Sequence, residues 1–311
     1  MIRDVITPKE GETCFIFFGG KGGVGKSSMA AATAVWLADN GYKTLLASTD
    51  LQKSQNDILC QGIGSNETKV KGVNNLEAIN IDAKGSIRKH QVEVLKKIGA
   101  LKGEDWEIKF LKEYWEKNPI LPCGTASYNV FVQYLNSRDY DVVVFDTAPG
   151  GHNFEMIGYP WTHLDRLKRS ILAKKQVADL TGKMAEIELL EQMAEENLRA
   201  IKKLSSDCTG YLLVLHPEML PIYETKRIQA SLEPYGISVK GLIINQIFTQ
   251  RALHKLVFQG KKKTAGKNLN MIRKEFPYMS VGLVPMIETE IVGLDVVRRI
   301  GEILYGGEGK I

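Results

Sequence analysis

Cysteine is scarce. The 311 residues hold four, Cys14, Cys60, Cys123 and Cys208, far apart and with no Cys-x-x-Cys. That spacing excludes a disulfide framework, a zinc ribbon and a thioredoxin-type dithiol. Long apolar runs are missing as well. The longest, such as Tyr211 to Leu215, are strand-sized, far short of the ~18 residues of a membrane span. Met1 to Glu12 has no apolar core of the secretory kind, which predicts a cytoplasmic chain. Net charge is only +5; it permits an anionic ligand without requiring nucleic acid. With 44% apolar and 25% charged residues, disorder is excluded as a description of the whole.

What the chain does have is an alternation of short β-branched or aromatic runs with longer helix-like stretches. The strand candidates are Thr13–Gly19, Lys43–Ser48, Leu76–Ile81, Asp141–Asp146, Gly210–His216, Val239–Asn245 and Ser280–Val284. They are continuous apolar runs, as in Val142-Val143-Val144-Phe145. Strands buried on both faces read that way, so the spacing predicts an α/β domain with a doubly wound, mostly parallel sheet.

Two intervals exceed a simple crossover, about 83–138 and 154–204. The first has Val92, Leu95 and Ile98, then Ile108, Leu111 and Trp115; the second has Met184, Ile187, Leu190, Ala194, Leu198 and Ile201. Spacings of three and four mark amphipathic helices, which predicts a single domain over 1–311 carrying a helical insert subdomain. The basic stretch Lys261–Lys267 reads as a loop, more often a solvated one than a nucleic-acid patch. Glu290–Leu304 reads as a last helix packed through Val296, Val297, Ile300 and Leu304, with Tyr305–Ile311 as a frayed tail.

Gly20-Lys21-Gly22-Gly23-Val24-Gly25-Lys26-Ser27 fits G-x-x-x-x-G-K-[ST], between strand residues Phe15–Phe18 and a helix over Ser28–Ala38. The glycines let backbone N–H groups face phosphates, and the helix N-terminus adds positive partial charge. Lys26 is placed to bind the β- and γ-phosphates of ATP, and the Ser27 hydroxyl to ligate Mg²⁺. A Gly-rich turn without a ligand is the bland alternative, disfavoured by the strand–loop–helix context.

Two carboxylates end core strands. Asp50 follows Ser48-Thr49, where it either orients or deprotonates an attacking water or caps the next segment. Asp146 ends the run Val142–Phe145, the Walker B pattern, and would hold Mg²⁺ directly or through water. Pro149, Gly150 and Gly151 after it make a loop able to change shape with the γ-phosphate.

Lys21, an early second lysine, resembles the deviant P-loop class, which includes ParA, MinD, nitrogenase iron protein and the ArsA-type ATPases. Phe145 to His152 resembles the F-D-T-A-P-x-G-H second switch of the ArsA family, which covers arsenite-pump ATPases and the guided-entry ATPases that target tail-anchored membrane proteins. Ser48–Asp57 is similar to that family's first switch, His216–Arg227 to its P-E-x-x-x-x-Y-E-T-x-R helix, and Val284–Asp295 to its V-P-x-x-x-x-E-x-x-G-L-x segment. The resemblance runs from about Cys14 to Leu304. It implies a Mg²⁺-dependent ATPase, closing as a homodimer around ATP. Lys21 would then reach the partner's nucleotide; by its residue type alone a solvated charge is the lesser alternative. Nucleotide contacts would come from Gly20, Lys21, Gly22, Gly23, Val24, Gly25, Lys26, Ser27 and Ser28, with Lys21, Lys26 and Asp50 as the catalytic set. Asn245 matches the residue that reads adenine, and Pro285 and Met286 would line the base pocket; without the resemblance a strand-end turn residue is the more common reading of Asn245.

The chain departs from that pattern. Leu51, Gln52 and Lys53 replace Pro-Ala-His at the first switch, and Gly150 with Asn153-Phe154-Glu155 alters the second. No cysteine lies between Asn245 and Pro285, where the targeting ATPases place the Cys-x-x-Cys of a zinc-clamped dimer. Three partners are then open. One is a hydrophobic transmembrane segment bound in an apolar groove of the insert, where Met156, Met184 and Met193 lie. Another is a membrane pump subunit for arsenite or another anion, although a soft metalloid wants about three thiolates and Cys14 and Cys208 read as buried hydrophobes. The last is a metalloenzyme under maturation, for which His90, His163 and His254 are isolated. A nucleic-acid partner is not expected.

Overall fold

The β-branched and aromatic runs form one sheet. The computed structural model describes residues 2–9, 11–49, 52–81, 131–147, 152–181, 184–248 and 259–307. Eight strands pair in the order β3-β4-β2-β5-β1-β6-β7-β8. They are β1 (Cys14–Gly19), β2 (Thr44–Ser48), β3 (Thr68–Lys69), β4 (Leu76–Asn80), β5 (Val142–Asp146), β6 (Thr209–Leu215), β7 (Val239–Ile247) and β8 (Ser280–Pro285). All pairs are parallel except β3 with β4. The helices are α1 (Ile2–Ile6), α2 (Lys26–Asp39), α3 (Ser54–Ile58), α4 (His152–Thr181), α5 (Met184–Leu204), α6 (Met219–Leu232), α7 (Gln259–Glu275) and α8 (Leu294–Tyr305). Residues 131–136 are also helical.

Contacts divide the chain into two units, one of residues 1–80, 138–155 and 204–311, the other of 81–137 and 156–203. The first holds the whole sheet. On one sheet face Ile16, Phe18, Val144, Leu212 and Val214 pack with α2 and α8 in a single core. α2 is buried nearly all round because alanines 30, 31, 32, 34 and 38 leave room for its neighbours. At the α8 crossing, a Cβ on Gly301 would come within 3.0 Å of Trp36 Cβ. On the opposite face Phe17 stacks between Phe145 and Tyr211, centroids 4.7 Å apart on each side. Continuous apolar strands are explained by this burial of both faces.

Four expectations are corrected. β3 is a two-residue edge strand, too short to leave a pattern. Lys261–Lys267 lies within helix α7, not in a loop. Lysines are good helix formers, and Asn268, Ile272 and Phe276, four apart and buried, anchor the helix. α8 starts at Leu294, not Glu290, because Gly293 stands at φ 88° and ψ 157°, outside the helical range. Tyr305 is not frayed: it is 1% exposed, and its hydroxyl lies 2.7 Å from Thr33 Oγ1.

In the second unit, α5 is present but its inward face is rotated from the expected stripe. Ile187, Asn197 and Ala200 are buried, while Leu198 is 41% exposed. Asn197 accounts for the rotation, since its Nδ2 donates to Pro160 O at 2.7 Å and a buried amide follows its hydrogen bond inward. The apolar positions from Val92 to Trp115 lie outside the described residues, as do the side chains of Met156 and Met184.

Candidate functional site

At the carboxyl end of β1 the chain turns through residues 20–25 before entering α2. Three positions require glycine. Gly20 has φ 139°, and a Cβ there would sit 2.2 Å from Val214 O. Gly23 has φ 78° and Gly25 φ 95°, and a Cβ on Gly25 would sit 2.5 Å from Asn245 Nδ2. Any other residue would be strained by the left-handed backbone and, at 20 and 25, would collide with β6 or with Asn245. The loop is therefore a fixed cradle at the end of a parallel sheet, where α/β folds bind ligands. Val24 is buried, while Lys21 and Ser27 are partly exposed.

Lys26 is the first residue of α2 and is 6% exposed. Its Nζ donates to Lys21 O at 3.0 Å, so the ammonium curls over the loop. That bond uses Lys21's backbone and leaves its side chain out of the contact. Ser27 and Ser28 continue α2 at its N-terminal turn, the end that carries the helix's positive partial charge.

Strand order brings Asp146 beside this loop, because β5 lies between β1 and β2. Asp146 is fully buried. Its Oδ2 accepts from Gln55 Nε2 at 2.9 Å and from Ser48 Oγ at 3.4 Å. Gln55 Nε2 also donates to Ser27 O at 3.2 Å. Gln55, on short helix α3, thus joins the first switch to both the P-loop and Asp146. Sequence reasoning missed it: Gln55 falls on an unspecified position between Ser54 and Asp57, and an amide there carries no signal before its burial is known. Lys53 begins α3 at φ 54°, a conformation uncommon for a side chain of that size. Asp50 lies outside the described residues, as do Leu51 and the second-switch positions Pro149 and Gly150.

On the other flank β7 delivers Asn245, which is 4% exposed. Its Nδ2 donates to Val24 O at 2.9 Å, and its Oδ1 accepts from Gln246 N at 2.8 Å. The amide read as an adenine contact is therefore also a brace for the loop. Its neighbour Gln246 stands at φ 57°, and Met286 N donates to Ile247 O at 2.9 Å. That bond holds Pro285 and Met286 against the end of β7. Met286 is about half exposed. His216 follows β6; burial lowers its pKa below the ordinary imidazole value, against opposing pulls from Glu218 and the Val24 backbone. Its ring is neutral at pH 7 on that account.

Cys14 is buried, as expected. Cys208 is only half-buried, against expectation: it precedes the first residue of β6, at the edge of the sheet where β1 also starts, and its thiol donates to the Glu12 carboxylate. Burial first, then Glu12 and the adjacent Cys14, push the Cys208 thiol up to about 12. It stays protonated at neutral pH and is a poor soft-metal ligand in that form. No helix among the described residues is long and apolar enough to cross a membrane.

The family described as Anion-transporting ATPase, ArsA type, matches residues 13–306. A putative arsenical pump-driving ATPase of Halobacterium salinarum is 34% identical over 98% of this chain, which spans 46% of that relative's length. A putative arsenical pump-driving ATPase 2 of Aquifex aeolicus is 31% identical over 93% of this chain and 98% of its own. A protein named ATPase get3 of Pyrenophora tritici-repentis is 27% identical over 93% of this chain and 90% of its own.

Proposed function

The chain belongs to the ArsA-type anion-transporting ATPase family, and from that premise we propose that it is a Mg²⁺-dependent ATP switch. In this reading it closes as a homodimer on ATP and carries hydrophobic membrane-protein segments of the tail-anchored kind. The observation that supports a triphosphate ligand best is the cradle itself: glycines 20, 23 and 25 in conformations other residues avoid, wrapped around the start of α2 with Lys26 folded over them.

Within this reading the P-loop N–H groups of residues 20–26 bind the β-phosphate. Lys26 exchanges its bond to Lys21 O for the γ-phosphate, at little cost in solvation because it is already buried. Ser27 and Asp146 fit a hard cation: they offer a hydroxyl and a buried carboxylate, and the Gln55 amide ties the Ser27 backbone carbonyl to that carboxylate. When bound there, Mg²⁺ neutralises charge on the β- and γ-phosphate oxygens. Asp50 orients the attacking water and draws off its proton. Asn245, besides bracing Val24, has a second N–H and a second lone pair to offer adenine, with Pro285 and Met286 beside it. Lys21 reaches the partner's phosphates.

A membrane-segment client is supported by exposed leucines on the helices of the second unit, Leu172 at 62% and Leu198 at 41%. A pump subunit is the second reading, favoured by the names of the Halobacterium and Aquifex relatives. The low reactivity of Cys208 weighs against direct metalloid binding by this chain.

Co-purification discriminates the two. Asp50→Asn protein with ATP and Mg²⁺, co-expressed with a reporter bearing one C-terminal membrane span, is expected to yield a detergent-free complex that dissolves when nucleotide is removed. No complex, together with ATP hydrolysis stimulated by arsenite or antimonite, would overturn the client reading in favour of the pump.

A further inference from the structure

Gln55 is 1% exposed, and its carboxamide stands between the two residues assigned to the cation. Both of its hydrogen-bond partners on the nitrogen side are acceptors: the Asp146 carboxylate and the Ser27 carbonyl. Only the NH₂ group satisfies both, so the amide has one orientation and both N–H groups are used. Oε1 is buried as well, and among the described residues it has no hydrogen-bond partner. A buried acceptor left in that state is costly, and native structures keep one where a missing ligand or water completes it. Magnesium retains several waters of hydration in such sites, and each is a strong donor.

We infer that Gln55 is a positioning residue for the metal: its Oε1 accepts hydrogen bonds from the hydration shell of Mg²⁺, while its NH₂ fixes the Asp146 carboxylate. α3 belongs to the first switch, so the bond links metal occupancy to that segment's position. The inference rests on the nucleotide reading above and adds a residue to it. Loss of outer-sphere partners of this kind weakens metal binding by about 10- to 100-fold.

The test titrates Mg²⁺ into protein saturated with N-methylanthraniloyl-ADP in EDTA and follows fluorescence, each variant being referred to its own signal in EDTA. Gln55→Met keeps the volume and removes both polar ends. It is expected to raise the Mg²⁺ concentration at half-effect by about tenfold. Gln55→Glu puts a second carboxylate beside Asp146. It is expected to lower that concentration and to enlarge the gain in Tm on adding Mg²⁺. A purely structural Gln55 would lower Tm in every condition and leave the Mg²⁺ midpoint where it was. Midpoints for both variants that coincide with the parent's overturn the inference. If Gln55→Met fails to fold, Gln55→Glu decides alone, and a midpoint equal to or above the parent's overturns it. A parent protein that binds no nucleotide overturns the underlying reading, and this inference with it.

Discussion

Asn245 Nδ2 donates to the carbonyl oxygen of Val24 at 2.9 Å, which ties the end of β7 to the crown of the P-loop. The same nitrogen occupies the space a Cβ on Gly25 would need. Loop shape and strand β7 are thereby coupled: the glycine exists to admit the amide, and the amide holds the loop that the glycine allows to turn.

Asn245→Ala is expected to weaken ATP binding about tenfold, the equivalent of one lost hydrogen bond of ~1.4 kcal/mol. Gly25→Ala is expected to do more, because it adds a collision to backbone strain. Isothermal titration with ATP checks both. Equal affinity in Asn245→Ala and parent would remove the brace from the account.

Lys21 makes its bond to Lys26 through the backbone, so Lys21→Ala retains that contact. The expected loss is in association. ATP with Asp50→Asn in the background should give a dimer in sedimentation velocity, and adding Lys21→Ala should shift it toward monomer. Equal dimer fractions would refute the contact across the seam.

Tyr305 is buried between α8 and α2, and its pKa is raised well above the usual tyrosine value by burial. Above about pH 10 the unfolded chain releases that proton and the folded chain keeps it. The unfolded state then binds fewer protons, so stability is full below pH 10 and falls as pH rises past it. Fully buried Tyr211 acts in the same direction. Tyr305→Phe is expected to cost about 1 kcal/mol at pH 7 through the lost bond to Thr33. It should also flatten the alkaline limb by up to ~1.4 kcal/mol per pH unit. Urea unfolding at pH 7, 10 and 11 reads both effects; an unchanged alkaline slope would contradict the burial argument.

Much of this was legible in the sequence. Seven of the eight strands came from continuous apolar runs because both faces of the sheet are covered, and each of those seven lies within two residues of its expected bounds. The P-loop was legible because its chemistry demands fixed residue types at fixed spacing. Other features depend on neighbours that no local pattern names. The rotated face of α5 follows from where Asn197 finds Pro160 O. The helix over Lys261–Lys267 depends on buried residues further along, at 268, 272 and 276. Gln55 became visible only when the order β2-β5-β1 placed Asp146 and Ser27 on either side of it. Asn245 was singled out for the base, and its bond to Val24 depends on strand placement 221 residues away in sequence.

The most direct test of the central claim is steady-state ATP hydrolysis by the purified chain in Mg²⁺, measured beside Lys26→Ala. The account predicts turnover and tight ATP binding in the parent, and loss of both in Lys26→Ala. ATP binding or hydrolysis that persists undiminished without Lys26 would contradict it, because the glycine cradle over α2 would then not be where the phosphates sit.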